Sequence, residues 1–373
     1  MLGGVIVVVG FFVILMIHEG GHLVAAKAFG MKATRYFLGF GPTLWSFRRG
    51  ETEYGVKAIP AGGFVSIIGM NPLEYVAPEE ESRTYRGRPF YQKSVVVMAG
   101  VATHFVIAFI LIWTANVLIG RPDPDRPQLE IARVVSETAD GYPTAAVEAG
   151  LKAGDRLLSI DGAPLDNWSD LTEALRASPN RFVQMEVERN GERLTLGGEL
   201  TSRIDPDTGQ ETGFLGVSPV IGRTRDNPIA GVGVTVGRIA FFTTQSVRGI
   251  WTLVSNFGSF LGAVFTNNDE AIDEVRPVSV IGITQFGAAS QRIGLNYTLE
   301  LIAYVSVFVG VLNAVPMYPF DGGHFAVAIY QKVTGRQPDI RKLAPIGALV
   351  FFFIVIVGVL GVYFDIVHPL DFG

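Results

Sequence analysis

Residues Leu2 to Ile17 contain no charged side chain, and the helical pattern they set continues directly into His18, Glu19 and His22. At ~1.5 Å per residue, His18 lies ~24 Å along that helix, still within a hydrocarbon core ~30 Å thick. A membrane-spanning helix that carries three ionisable groups near one end is costly to build, so function is the default reading of those groups. The pattern is H-E-x-x-H. On a helix it puts two imidazoles on one face, one turn apart, where they offer two corners of a tetrahedral zinc site. Glu19, next to the first imidazole, is placed to act as general base toward an attacking water. The structural alternative is a pair of histidines packed in a helix bundle.

The rest of the composition agrees with a membrane protein: of 373 residues, 49% are hydrophobic and 17% charged. The length leaves room for two or three domains. A net charge of -5 with no basic stripe gives no footprint for nucleic acid. With no cysteine there is neither a disulfide nor a thiolate ligand, so a metal must be held by His, Asp or Glu. A signal peptide over residues 1–17 is disfavoured, because no basic segment opens it and no small-residue cleavage site precedes the histidines.

Charge then orders the chain. No Lys or Arg precedes the first span, whereas Lys27, Lys32 and Arg35 follow it, which sets its far end on the cytoplasmic side. Residues 34–68 alternate aromatic and β-branched pieces with Gly and Pro, predicting a β-hairpin too apolar for a solvated loop and tucked against the membrane. Within it Gly62 and Gly63, followed by Phe64, allow another backbone to approach closely. Val95 to Gly120 reads as a second span with His104 as its one strongly polar residue. Residues 121–225 change character abruptly to soluble α+β. Residues 226–299 hold an amphipathic helix expected to lie on the outer surface, then an acidic loop. Residues 300–373 hold spans three (Glu300 to Pro316) and four (Leu343 to Tyr363), joined by a basic connection. Four spans with both termini outside satisfy every loop.

Two imidazoles need a third protein ligand, with one position left for water. Asp321 is the candidate, because Pro316 and Pro319 break the third span just before it and Gly322 and Gly323 let the chain kink. Irregular backbone at membrane depth is tolerated where it lines a cavity. The alternative is an aspartate that caps the helix that follows.

Two resemblances follow from these residues. The run Ala146, Ala149, Gly150, Leu151, Gly154, Asp155, Ile160, Asp161, Gly162 resembles the core of a PDZ domain, which binds extended peptides at a sheet edge; Gly213 to Val217 is a candidate part of that edge. His18, Glu19 and His22 with Asn313, Pro316, Asp321 and Gly322 resemble the site-2 protease family of intramembrane zinc metalloproteases, of the bacterial regulator-of-sigma-E type. The resemblance implies four transmembrane helices, a membrane-associated β-hairpin and an inserted extracytoplasmic PDZ-like domain in the bacterial inner membrane. It implies Zn2+ on His18, His22 and Asp321, Glu19 as base and Asn313 at the oxyanion. Gly62, Gly63 and Phe64 would line substrate. Phe320 stands where the family has leucine, and Val101 and His104 stand where it often has proline and asparagine. His104 therefore either contacts an unwound substrate or packs against a neighbouring helix. His324 and His368 read as structural. The implied substrates are single-span membrane proteins, trimmed anti-sigma factors or remnant signal peptides, with outer tails read or filtered by the PDZ-like domain and lipids around the spans. The rival reading is a non-catalytic scaffold that binds tails through that domain.

Overall fold

Helix α1 (Leu2–Ala28) takes in the uncharged run and the H-E-x-x-H pattern without a break. The computed structural model describes residues 2–71, 74–138, 141–204, 209–266, 272 and 276–367. After α1 the chain turns at Gly30 (φ +70°) into a long hairpin, β1 (Ala33–Arg49) and β2 (Thr52–Ile67). The hairpin doubles on itself: Tyr36 pairs with both Tyr54 and Val65, and Tyr54 pairs with Phe47 as well. Residues 63–66 consequently form one edge of a small sheet, and no further strand among the described residues pairs with them. Leu44, Trp45 and Phe47 at the far end are exposed.

Helix α2 (Phe90–Thr114) starts earlier than the hydropathy predicts, because Pro89 in extended conformation opens it, and it ends in a π-turn, Ala115–Ile119. The α1–α2 contact is close because small residues face each other. A Cβ on Gly21 would sit 2.7 Å from the Ala99 carbonyl oxygen.

Gly120–Arg225 is a compact unit in itself. Its elements are β3 (Arg121–Val134), α3 (Ala145–Glu148), β4 (Arg156–Ile160), β5 (Ala163–Pro164), α4 (Trp168–Arg176), β6 (Phe182–Arg189), β7 (Glu192–Glu199), β8 (Thr201–Ile204), β9 (Glu211–Phe214) and β10 (Val217–Thr224). The main sheet runs β10–β3–β4–β6–β7, with β5 folded back on β4; β8 and β9 form a separate ribbon. Asp161 (φ 48°) and Gly162 (φ 79°) make the tight β4–β5 turn that their sequence predicts. Alternate strand residues, Leu157, Val183, Met185 and Val187 among them, close a core over Leu171 of α4. Of the Gly213–Val217 stretch, Gly213 and Phe214 lie in the ribbon and only Val217 lies on an edge of the main sheet.

The chain re-enters the first unit with α5 (Pro228–Ser255), α6 (Phe257–Thr266), α7 (Val280–Ile293), α8 (Leu295–Asn313), α9 (Asp321–Thr334) and α10 (Ile340–Val367). Among the described residues, four helical segments are long and apolar enough to cross a membrane: Gly3–Ala28, Phe90–Ile119, Leu295–Asn313 and Arg341–Val367. Helix α5 packs against α2 and α8, burying Gly231, Thr235, Phe242 and Ser246, while Val232, Val236 and Trp251 are exposed together with Arg238, Arg248 and Ser255. Residues 280–293 form a helix of their own, because Gly294 (φ +151°) breaks the chain before α8. Most of the acidic loop, and His368, lie outside the described residues.

Candidate metal centre

Three elements distant in sequence converge on one point. His18 and His22 project from the same face of α1, and Asp321 opens α9. The Nε2 atoms of the two histidines stand 3.2 Å apart, and each lies 3.1 Å from Asp321 Oδ2. Zinc bonds of ~2.0 Å in a tetrahedron put neighbouring ligand atoms ~3.3 Å apart, so this near-equilateral triangle has the size of one tetrahedral face. It is the one such group of His, Asp and Glu among the described residues. Two bare imidazole nitrogens and a carboxylate oxygen this close have no stable arrangement of their own without a shared proton or cation. The donor set therefore fits a zinc ion.

The surroundings explain the convergence. His22 Nδ1 lies 2.8 Å from the Val96 carbonyl oxygen, which fixes the proton on Nδ1 and leaves Nε2 free to ligate. Gly100 makes room for that ring: a Cβ there would collide with the His22 imidazole. Gly322 and Gly323 let the first turn of α9 lie directly on the carbonyls of Val315, Ala314 and Met317. Asp321 makes no cap. The cap position is Phe320, without a side-chain bond, and the carboxylate is spent on the histidines instead.

Glu19 is not among the three. Its Oε2 accepts a hydrogen bond from the Val65 main-chain N–H at 2.9 Å, which ties it to the free edge of the hairpin sheet. Gly63 is equally near, since a Cβ there would meet Glu19 Cγ at 3.3 Å and Met16 Sδ at 3.2 Å. Gly62 lies one residue further out, at φ +142°. Phe64 stacks between Phe37 and Phe40 at 5.8 Å from each ring. Asn313 ends α8, half-buried, and its side chain bonds no other described residue.

Of the two alternatives for His104, contact with substrate or packing against a neighbouring helix, the structure shows the packing: the residue is wholly buried with Nδ1 3.2 Å from Ser306 Oγ of α8. His324, with Val65, Tyr318 and Gly347, lines a cavity of about 710 Å³. Sequence reasoning missed Gly100, the Val96 carbonyl and this cavity. The Ala99–Gly100 pair, opposite Gly20–Gly21 in two apolar runs, is the signal that could have found the first.

Comparison with known proteins agrees along nearly the whole chain. The model of peptidase family M50 matches residues 6–358. Zinc metalloprotease Rip1 of Mycolicibacterium smegmatis is 30% identical over 408 residues, covering 99% of this chain and 98% of that one. The protein of the same name from Mycobacterium tuberculosis H37Rv is 30% identical over 399 residues, with the same coverage. Among solved structures, the PDZ domain of an SdrC-like protein from Listeria monocytogenes covers 27% of this chain and 93% of its own, at 21% identity and a TM-score of 0.19.

Proposed function

This chain belongs to peptidase family M50, the site-2 protease family, and is a zinc metalloprotease; we propose that it cuts single-span membrane proteins within the bilayer, with His18, His22 and Asp321 holding the zinc. The observation that carries the reading is the donor triangle itself, set on one apolar helix beside a carboxylate and a free strand edge. Family membership sets aside the non-catalytic scaffold.

A transmembrane helix has its amides satisfied and must unwind before it can be cut. The edge at 63–66 supports a reading in which the unwound segment adds as a strand and recovers its lost hydrogen bonds. The cavity beside Val65 then receives its side chains. Bound zinc would supply Lewis-acid polarisation of the scissile carbonyl. Glu19 takes the proton from the attacking water, held in aim by its bond to Val65. The unspent amide of Asn313 donates to the developing oxyanion. The 121–225 unit acts as a PDZ-like filter or tail reader on the outer side of a bacterial inner membrane, and trimmed anti-sigma factors or remnant signal peptides are the substrates.

The test is zinc content and cleavage on one purified preparation. His22→Ala and Asp321→Ala should each lose most zinc and all cleavage while remaining inserted. Wild-type zinc in Asp321→Ala would show that the third ligand lies elsewhere.

A further inference from the structure

His104 is the group left over by the mechanism. It sits in α2 with none of its surface exposed, one helix away from the donor triangle. Its tautomer follows from its partner. The Ser306 hydroxyl donates its only proton to the His104 carbonyl oxygen at 3.0 Å, so at 3.2 Å from His104 Nδ1 the same oxygen can only accept. His104 therefore carries its proton on Nδ1 and presents a bare Nε2. That nitrogen is buried without a partner.

His18 has the complementary defect. With Nε2 committed to the donor triangle, a neutral His18 keeps its proton on Nδ1, and this atom too is buried without a partner. His22 shows what a ligating imidazole in this site requires, since its own Nδ1–H is held by the Val96 carbonyl. The rings of His18 and His104 lie with centroids 4.8 Å apart at 37°. An unmet donor and an unmet acceptor thus lie on neighbouring buried rings, where each alone is costly.

We propose that His104 is a positioning residue for the metal site: its Nε2 accepts the Nδ1–H of His18, directly after a small ring rotation or through one water, and so fixes His18 in the tautomer that ligates. Ser306 sets the tautomer of His104 in turn, and Gly310 allows α8 the approach, since a Cβ there would lie 2.8 Å from His104 Cβ. The proposal rests on His18 being a ligand. It goes beyond that reading by giving the buried imidazole of α2 a task that a packed residue would not have.

The experiment uses full-length protein in detergent, loaded with zinc and labelled with 15N-histidine; with five histidines in the chain the ring signals are few enough to assign. His104 should carry its proton on Nδ1, and His18 should show a slowly exchanging Nδ1–H. A proton on Nε2 of His104 overturns the proposal with no variant needed. Zinc affinity, read by chelator competition, should fall ~10–100-fold in His104→Phe, the loss typical of a ligand's hydrogen-bond partner. It should recover to within about threefold in His104→Gln, whose side-chain oxygen restores the acceptor. Wild-type affinity in His104→Phe, or a His104→Gln as weak as His104→Phe, overturns it. His18→Ala measured alongside separates the two failures: zinc retained there defeats the ligand assignment, whereas zinc lost there but kept in His104→Phe defeats this inference alone.

Discussion

Glu19 Oε2 accepts the main-chain N–H of Val65 at 2.9 Å, so the carboxylate beside the metal ligands and the free edge of the hairpin sheet are hydrogen-bonded to one another. One oxygen of the carboxylate is held and the other bonds no described residue. On the proposed reading, a strand that adds at residues 63–66 arrives within reach of Glu19, and substrate binding and proton transfer would share one short stretch of backbone.

Glu19→Gln tests the proton transfer. It preserves size and the bond to Val65 and removes the base. Zinc content should stay at the wild-type level, substrate should accumulate in crosslinkable contact with residues 60–66, and cleavage should slow by at least ~100-fold. Cleavage near the wild-type rate would refute the proposed role. Loss of zinc with activity would mean that Glu19 supports the metal site instead.

Gly63→Val tests the edge. Even a Cβ at this position meets Met16 Sδ at 3.2 Å and Glu19 Cγ at 3.3 Å, and the further methyls of valine have less room. The variant should keep its zinc, which is held by other residues, and lose roughly tenfold or more in kcat/KM, about 1.4 kcal/mol of transition-state stabilisation. Unchanged cleavage would remove residues 63–66 from the substrate path.

What the sequence made legible was whatever depends on local spacing. The H-E-x-x-H pattern lies on one helix, and the Asp161–Gly162 turn needs only its own two residues, so both could be read directly. Asp321 was reachable because Pro and Gly broke an apolar span just before it. Features made by distant pairs were not legible. The Val96 carbonyl that fixes His22 is 74 residues away, and Ser306 is 202 residues from His104. In α5, likewise, only the packing reveals that Thr235 and Ser246 turn inward against other helices.

The 121–225 unit carries its own pH dependence. Burial alone would raise the Asp155 carboxyl, but hydrogen bonds from Arg189, the Lys152 N–H and the positive charge nearby bring it below its ordinary value. A depressed folded value means that this group's contribution is fully present above the unfolded carboxylate range and is lost as pH falls through the folded value. Arg189→Ala should lower the unfolding temperature of this unit at pH 7 by on the order of 5 °C. The deficit should shrink in acid, because the stranded carboxyl, raised by burial, takes up a proton there while the wild-type pair loses its charge as pH falls through the depressed folded value. Scanning calorimetry of the full-length variant at pH 7 and in acid measures both; a deficit that does not depend on pH would assign the effect to packing.

The filter role is tested by removing the unit. Its two ends lie side by side: Arg121 pairs with Thr224 and Pro122 with Arg223 at the start of β3 and the end of β10. A short flexible linker that replaces residues 125–220 therefore closes a gap between neighbouring strands and imposes little strain on α2 or α5. None of His18, Glu19, His22, Asn313 or Asp321 is touched. Zinc content should be unchanged, and a short pre-trimmed substrate should be cut within about threefold of the wild-type rate. On the filter reading, substrates that still carry a bulky outer domain should resist the intact enzyme and be cut by the deletion protein. The comparison needs both substrates on both proteins. If the inserted, zinc-loaded deletion protein fails on the short substrate, the unit contributes to catalysis itself. If it cuts that substrate and still rejects the bulky one, selection resides in the membrane core, and a tail-reading role is what remains for the sheet edge at β10.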